Sequence, residues 1–339
     1  MNENEMEYRG SKSLFNFNNV KEQRVNGSWY INPNLMYLRY TLTDFERNYQ
    51  INNPSKQLIN KRTFSTVNTQ PKMNPWFVTG LLEAEGSFIT RISKNNKNKR
   101  TKIGWVVSSN LQITLHQRDL SLLIMLQQFF GGIGRIYKDS NYKNVKYVVT
   151  KLSDLINVII PHFEKYPLLT QKAADFILFQ RVINIISTKD HLSIEGLYKI
   201  INIKASINLG LSDELKSNFI NCTPVERPKN LTKYIPDPNW ISGFVEGEGN
   251  FDINIHKSKS NKILYQIQLR FRISQHERDL KLMELLIKYL GTGIIEKNTK
   301  TGVVSLTITK FSSITKIIIP FFEKISFDWC KTIRLSRLM

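Results

Sequence analysis

The chain has 339 residues, 41% of them hydrophobic, which is enough for two domains of ordinary size or for one body built from two similar halves. Lys and Arg outnumber Asp and Glu by 48 to 28, and the resulting net charge of +20 indicates a polyanionic partner, with nucleic acid as the first candidate. A membrane partner is not expected, because no run approaches the roughly 18 apolar residues that span a bilayer, and two cysteines without CxxC spacing exclude a disulfide scaffold or a zinc cluster.

Composition and periodicity divide the chain into four segments. Residues 1–70 show no sustained hydrophobic period and are predicted to form a poorly ordered N-terminal extension. A first folded unit is expected over residues 71–220, followed by a polar, Pro-rich linker over residues 221–237. A second unit is expected over residues 238–339, shortened at its C-terminus.

The first predicted element is an apolar helix that ends in GLLEAEG, residues 80–86. Its two glutamates are unusual, because the unpaired carbonyl groups of a helix C-terminus already carry partial negative charge. The segment GFVEGEG, residues 243–249, repeats the arrangement, and Glu85 and Glu248 lie 163 positions apart. Equivalent acids at two helix ends favour a functional site over solvated helix-end charges.

Each acidic helix is followed by elements in the same order, namely two strands joined by a basic turn, a helix, two short strands and a final helix. The segments LQITLHQRD and FRISQHERD are offset by 160 positions, and DLINVIIPHFEK and SITKIIIPFFEK by 159. The chain is therefore a duplicated unit. We expect an α+β fold of two pseudo-symmetric αββαββα units with antiparallel sheets.

Small residues lie four positions apart on one face of each acidic helix, at Gly80 and Ala84 in the first and at Gly243 and Gly247 in the second. Because small residues let two backbones approach closely, the two helices are expected to pack together and to bring Glu85 and Glu248 into proximity. The next residues, Gly86 and Gly249, are expected in the left-handed conformation that ends many helices. Paired carboxylates at such a contact suit Mg²⁺, which binds a few carboxylate oxygens and bridges to phosphate.

The segments VTGLLEAEG and ISGFVEGEG resemble the two signature motifs of LAGLIDADG homing endonucleases, of the single-chain, two-repeat type found in fungal mitochondrial introns. The resemblance covers roughly residues 74–339. It implies a saddle of two sheets on the DNA major groove and metal-dependent cleavage of both strands across the minor groove. It further implies a mitochondrial monomer whose partner is double-stranded DNA with a long specific target site.

The resemblance also implies the site residues. Glu85 and Glu248 become the ligands of Mg²⁺ or of another divalent cation such as Mn²⁺, and the carbonyl groups of Ala84 and Gly247 are candidates to join them. The first acid of each motif, Glu83 or Glu246, is expected to be structural. Phosphodiester hydrolysis with bridging metals needs no side-chain nucleophile. The further catalytic candidates are Gln112, to order water, and Lys172, as a cation.

Alternation of side chains along the strands predicts the DNA contacts. In the first unit, inward Phe88 and Ile92 leave these residues facing DNA, with two more on the third strand: Ser87, Ile89, Arg91, Ser93, Ser108, Asn110, Gln112, Arg135 and Tyr137. In the second unit, inward Phe251, Ile253 and Ile255 leave Asn250, Asp252, Asn254, His256, Gln268, Arg270 and Arg272. Such residues suit hydrogen bonds to base edges, and the lysine-rich turns KNNKNKRTK and HKSKSNK are expected to contact phosphates.

The second unit departs from the first after FFEK, because it lacks a segment equivalent to YPLLTQKAAD. The second lysine and part of a closing helix are therefore expected to be missing or displaced. Three functions stay open: a site-specific DNA endonuclease, an intron RNA-splicing maturase, and a DNA-binding protein that has lost catalysis. Intact acids in both motifs favour the endonuclease over the last of these, whereas a basic surface that binds DNA could equally bind structured intron RNA.

Overall fold

The order of elements predicted for the two units is confirmed in the computed structural model, which describes residues 73–94, 103–139, 143–229, 232–257 and 264–325. The predicted N-terminal extension lies outside the described residues, and so do the lysine-rich turns apart from their first residues. Within the described ranges, no helix is both long enough and apolar enough to cross a bilayer.

The first unit begins at Asn74, whose side chain accepts a hydrogen bond from Trp76 N at 2.8 Å and so caps the first helix. Its elements are α1 (Pro75–Glu85), β1 (Gly86–Lys94), β2 (Trp105–His116), α2 (Leu120–Phe129), β3 (Arg135–Asp139) and β4 (Asn144–Val149). The final helix, α3, consists of three consecutive helical segments, Leu152–Asp154, Leu155–Ile159 and Ile160–Lys165, of which the middle one is π-helical.

Three further α-helices complete the first unit: α4 (Lys172–Ser187), α5 (Ile194–Lys204) and α6 (Asp213–Asn218). The second unit then repeats the order of the first with α7 (Pro238–Glu248), β5 (Gly249–Lys257), β6 (Tyr265–His276), α8 (Leu280–Leu290), β7 (Ile294–Asn298) and β8 (Val303–Ile308). Its last helix, α9, again has three consecutive segments, Phe311–Ser313, Ile314–Ile318 and Ile319–Ile325.

Each unit contains one four-stranded antiparallel sheet, with strand order β1-β2-β4-β3 in the first and β5-β6-β8-β7 in the second. The register also repeats, since Gly86 pairs with Ile113 and Gly249 pairs with Ile273. The two units are therefore pseudo-symmetric, as the duplicated sequence predicts. The α+β fold class is confirmed.

One face of each sheet packs against helices and forms the core. In the first unit Phe88, Leu111 and Tyr147 are buried against Leu81 and Leu123 of the helices. Phe271 and Leu306 occupy the corresponding face in the second unit. Polar side chains alternate with these residues and point to the opposite face, because successive residues of a strand face opposite sides.

The prediction that Ile253 and Ile255 are buried is wrong. Their side chains are 46% and 63% exposed, whereas Ile92, the counterpart of Ile255 in the first unit, is only 9% exposed. Ile92 belongs to a cluster that includes Leu178 of α4 and Ile200 of α5. These helices belong to the first unit, and the matching end of the second sheet lacks an equivalent cover in the part of the chain that the structure describes.

Candidate active site

Helices α1 and α7 pack with their backbones in direct contact. A β-carbon on Gly80 would lie 2.2 Å from the carbonyl oxygen of Trp240, and one on Gly243 would lie 2.0 Å from that of Phe77. Real β-carbons essentially never approach another atom below 3.0 Å. The helix contact predicted from the small residues is therefore confirmed, and it requires glycine at both positions.

The left-handed conformation predicted for Gly86 and Gly249 is wrong, because their φ angles are −81° and −77°. Both glycines start a strand directly after the helix, so the backbone turns straight into extended structure. A β-carbon on Gly86 would lie 2.4 Å from Leu82 O, and one on Gly249 would lie 2.6 Å from Val245 O. Glycine is needed here for space and not for its φ angle.

The helix contact brings the two predicted acids to one place. A β-carbon on Gly247 would lie 3.2 Å from Glu85 Oε1, so this carboxylate lies beside the backbone of α7. The Glu248 carboxylate accepts a hydrogen bond from Gln275 Nε2 at 2.8 Å. Both carboxylates act electrostatically on Lys172, which joins them in the same site.

Lys172 is the first residue of α4 and reaches the C-terminal end of α1. Its Nζ donates to Gly86 O at 2.5 Å and lies 3.4 Å from Leu82 O. Burial lowers the pKa of Lys172, while the charges of Glu248, Glu83 and Glu85 oppose this shift. The lysine thus offsets both the acids and the negative pole of the helix, which explains how carboxylates persist there.

Glu83, the first acid of its motif, is buried and ties three segments together. Its carboxylate accepts hydrogen bonds from Leu169 N at 2.7 Å and from Thr170 N, both in the loop before α4. It also accepts one from Trp240 Nε1 at 2.7 Å across the helix contact. Burial raises the pKa of Glu83 to about 7, and the hydrogen bonds from Thr170 and Trp240 counteract the shift.

The raised pKa of Glu83 predicts a pH-dependent contribution to stability. The group titrates near 4.5 when unfolded and near 7 when folded, so the stability it provides is complete below pH 4.5 and is lost as the pH rises through 7. The loss amounts to about 3 kcal/mol, because one pKa unit corresponds to about 1.4 kcal/mol. Denaturant unfolding of both proteins between pH 4.5 and 7.5 should show this fall in the difference between the unfolding free energy of the parent and that of Glu83→Gln, because other groups such as His162 titrate equally in both.

Glu195→Gln on the exposed side of α5 is the matched control and should keep the pH dependence of the parent. A Glu83→Gln variant whose unfolding free energy falls with pH as steeply as that of the parent would contradict this role of Glu83.

All residues predicted to contact DNA lie on the sheet faces that point away from the core, and each is exposed or half-buried. In the first sheet Ser87 pairs with Gln112, and Gln112 and Arg135 both pair with Val148. Gln112 therefore lies beside the strand that begins after Glu85, and its Nε2 donates to Thr114 Oγ1 at 3.3 Å. The strand alternation predicted from the sequence is correct at these positions.

The second sheet carries an ion pair on the same outward face. Asp252 and Arg270 are paired across β5 and β6, and Arg270 Nε donates to Asp252 Oδ1 at 3.1 Å. A second hydrogen bond joins Arg270 Nη2 to Asp252 Oδ2. The hydrogen bonds with Asp252 are the main cause of a raised Arg270 pKa. Asp252 and Arg270, both predicted to contact DNA, therefore form a bidentate ion pair with each other.

The sequence reasoning missed Gln275 and, separately, several polar residues on the outward faces of the sheets. Gln275 lies at an inward position of β6, and a polar side chain at such a position was the available signal. Extending the strand alternation to the outer strands would have given the other outward residues: Lys146, Glu296, Ser305 and Thr307.

A family model described as LAGLIDADG endonuclease matches residues 78–183 and 241–335, one match in each unit and together more than half of the chain. The chain belongs to the LAGLIDADG endonuclease family. Among its relatives is probable intron-encoded endonuclease 3 of Neurospora crassa, 48% identical over 98% of this chain and 66% of the relative. Probable intron-encoded endonuclease 2 of the same organism is 38% identical over 76% of this chain and 57% of the relative. The chain thus spans less than two thirds of either relative.

A solved member of the LAGLIDADG family resembles the structure closely. The homing endonuclease I-SmaMI bound to cleaved DNA is 45% identical to this chain and superposes on it with a TM-score of 0.73. The match covers 77% of this chain and 86% of the I-SmaMI chain. It has also been solved on an uncleaved DNA target in the presence of calcium ions. Other structures of I-SmaMI carry alanine in place of one or both of two lysines that lie 159 positions apart.

The residues at the helix contact fit a divalent cation in donor chemistry. Carboxylate oxygens of Glu85 and Glu248 and nearby main-chain carbonyl groups are the donors that hard cations such as Mg²⁺ and Ca²⁺ prefer. Glycine at position 247 leaves the Glu85 side chain room beside α7, since a β-carbon there would lie 3.0 Å from Glu85 Cγ and 3.2 Å from Glu85 Oε1. No cluster of three or more His, Cys, Asp or Glu side chains suited to a metal occurs among the described residues.

Proposed function

We propose that this member of the LAGLIDADG family is an intron-homing endonuclease that cuts both strands of a long, specific DNA site. The observation that carries the proposal is the placement of Glu85, Glu248 and Lys172 together at the end of the α1–α7 contact. One acid comes from each unit, and the first strand of each sheet, β1 or β5, starts directly after its acid. The complexes of I-SmaMI with DNA support double-stranded DNA as the partner.

In this proposal the two acids hold divalent cations, with the carbonyl groups of Ala84 and Gly247 as additional donors. Bound there, such a cation would lower the pKa of a coordinated water and neutralise charge on the scissile phosphate. Lys172 supplies a fixed positive charge next to the acids, which stabilises negative charge that develops on phosphate. Gln112 lies on the outward face of β2, next to the site, and orders water or phosphate by hydrogen bonding.

A second lysine candidate comes from the repeat itself. If the offset of 159 positions between the two FEK segments continues without a gap, Lys331 is the counterpart of Lys172. The replaced lysines of I-SmaMI have the same separation. Lys331 lies outside the described residues, and the family match extends to residue 335. We therefore assign Lys331 the role of second cation, in place of the expectation that this lysine is missing.

The outward sheet faces supply the DNA recognition in this proposal. Arg270 held by Asp252 presents a preoriented guanidinium group, the side chain that most often reads guanine in the major groove. Asn110 on the outward face of β2 is a further candidate, because an asparagine amide can pair with adenine in the major groove. Mg²⁺ as the natural cation, a monomeric state and a mitochondrial location belong to the same proposal, and relatives described as intron-encoded support the last.

The test is cleavage of DNA that spans the uninterrupted insertion site in the host gene. The full chain should cut this DNA with Mg²⁺ or Mn²⁺, bind it without cutting in Ca²⁺, and lose all cleavage when EDTA removes the metal. DNA of the same composition with a scrambled site is the control. Cleavage that persists in EDTA would contradict the metal site. Tight binding without cutting in Mg²⁺, or binding of intron RNA in preference to this DNA, would favour the alternatives without nuclease activity.

A further inference from the structure

We propose that Asp279 of the second unit and Arg227 of the linker are positioning residues for Lys172 of the first unit. The inference rests on the proposed role of Lys172 beside the two acids. It assigns a function in catalysis to two charged side chains that lie outside both signature motifs.

The peptide groups that flank Gln171, directly before Lys172, are held from two sides. Gln171 N donates to Asp279 Oδ1 at 2.7 Å, and Arg227 Nη2 donates to Gln171 O at 3.0 Å. Asp279 is 5% exposed, so its hydrogen bond is shielded from water. Charged side chains therefore fix both the backbone N–H and the backbone carbonyl group of Gln171, the residue before the lysine.

Arg227 is itself anchored to the first unit. Its Nη1 donates to Asp175 Oδ1 at 2.7 Å and its Nη2 donates to Asp175 Oδ2 at 3.0 Å, which is the bidentate geometry of a strong ion pair. Nη1 also donates to Ser206 O at 2.8 Å. Asp175 lies in the first turn of α4, so Arg227 connects that turn to the peptide before it.

The hydrogen bonds of Asp279 and Arg227 with Gln171, which we call the clamp, determine where the Lys172 ammonium group lies. Lys172 is the first residue of α4, and Gln171 is the residue from which the helix starts. The two preceding amides are held by Glu83, so the whole approach to Lys172 is fixed by side chains from other elements. A displacement of about 1 Å in such a group can cost about 100-fold in rate. Loss of Asp279 should therefore move the lysine away from the acids without removing any group that contacts DNA.

The experiment compares Asp279→Ala with Asp279→Asn, whose amide oxygen can still accept from Gln171 N. Asp279→Ala should lower the single-turnover cleavage rate by about 10- to 100-fold and leave the DNA Kd in Ca²⁺ within about threefold. Asp279→Asn should recover most of the rate. Asp213→Ala is the matched control, because Asp213 is an exposed aspartate that pairs with Lys216 at 3.0 Å on the surface.

A double-mutant cycle separates positioning from a general structural role. If Asp279 acts through the lysine, Asp279→Ala should cause almost no further loss of rate in a Lys172→Met protein. A full additional loss in that background would overturn the inference. A parallel fall in DNA binding and in cleavage for Asp279→Ala would overturn it as well.

Labelling with a lysine-reactive acylating reagent, read by mass spectrometry, tests the clamp even in a chain that does not cut DNA. Lys172 should react slowly in the parent and several-fold faster in Asp279→Ala. In Asp213→Ala its labelling rate should equal that of the parent. If the parent does not cleave but labelling changes in this way, the proposed function fails and the clamp stands. Equal Lys172 labelling in the parent and Asp279→Ala would overturn the clamp whether or not the chain cleaves.

Discussion

Replacing Glu85 or Glu248 with Gln is expected to lower the rate of DNA cleavage by about 1,000-fold, which corresponds to about 4 kcal/mol of transition-state stabilisation. The carboxamide keeps the size of the side chain but removes the charge that holds a divalent cation. DNA binding in Ca²⁺ or without metal should stay the same or become tighter, because a negative charge facing phosphate is removed. Single-turnover cleavage and binding measured on the same DNA check both parts.

Glu246→Gln is the matched control, since it makes the same chemical change in α7 two positions before Glu248. We expect it to cleave within several-fold of the parent. Equal cutting by the parent, Glu85→Gln and Glu248→Gln would remove the catalytic assignment of both acids. A variant that has lost cleavage and DNA binding together would instead indicate that the acid supports the fold.

Gly243→Ala is expected to have the largest effect on stability, with a loss of about 3 kcal/mol in the free energy of unfolding. The new β-carbon would lie 2.0 Å from Phe77 O and 2.9 Å from Leu81 N, and both atoms belong to backbone that cannot move away as a side chain can. The helices must separate, and the buried residues between them lose contact. Urea unfolding of the parent and the variant measures the difference.

Gly131→Ala is the matched control for this substitution. Its β-carbon would meet no atom within 4 Å, but the residue has a φ of +72°, so only the strain of the left-handed conformation is added, about 1 kcal/mol. Because the α1–α7 contact also forms the base of the candidate site, Gly243→Ala should lower cleavage as well as stability. An effect on unfolding no larger than that of Gly131→Ala would show that the helix contact tolerates separation.

The repeated motifs carried most of what the sequence could predict. The spacing of the small residues predicted the α1–α7 contact, and the alternation of side chains predicted which residues of β1, β2, β5 and β6 point outward. Both are local rules, since helix faces and strand faces follow from sequence spacing alone. The duplicated order of elements then gave the antiparallel sheets and the pseudo-symmetry.

The remaining features depend on segments that are distant in sequence. Ile255 is exposed although it continues an inward pattern, because pattern alone does not reveal whether a helix covers that end of the sheet. Glycine is required at position 86 because a β-carbon there would collide with the carbonyl oxygen of Leu82, and only the three-dimensional structure shows this contact. The contact between Asp279 and Gln171 joins residues 108 positions apart, and no periodicity marks it.

The loop before α4 also has a consequence for folding. Its backbone is held in part by Glu83 of α1, which is hydrogen-bonded to Trp240 of α7, and in part by Asp279 of the second unit. The first unit thus completes its own structure only when the second is in place, since a buried carboxylate without its partners is costly. We therefore expect the two halves to unfold in one cooperative transition, although the chain was built by repeating a single unit.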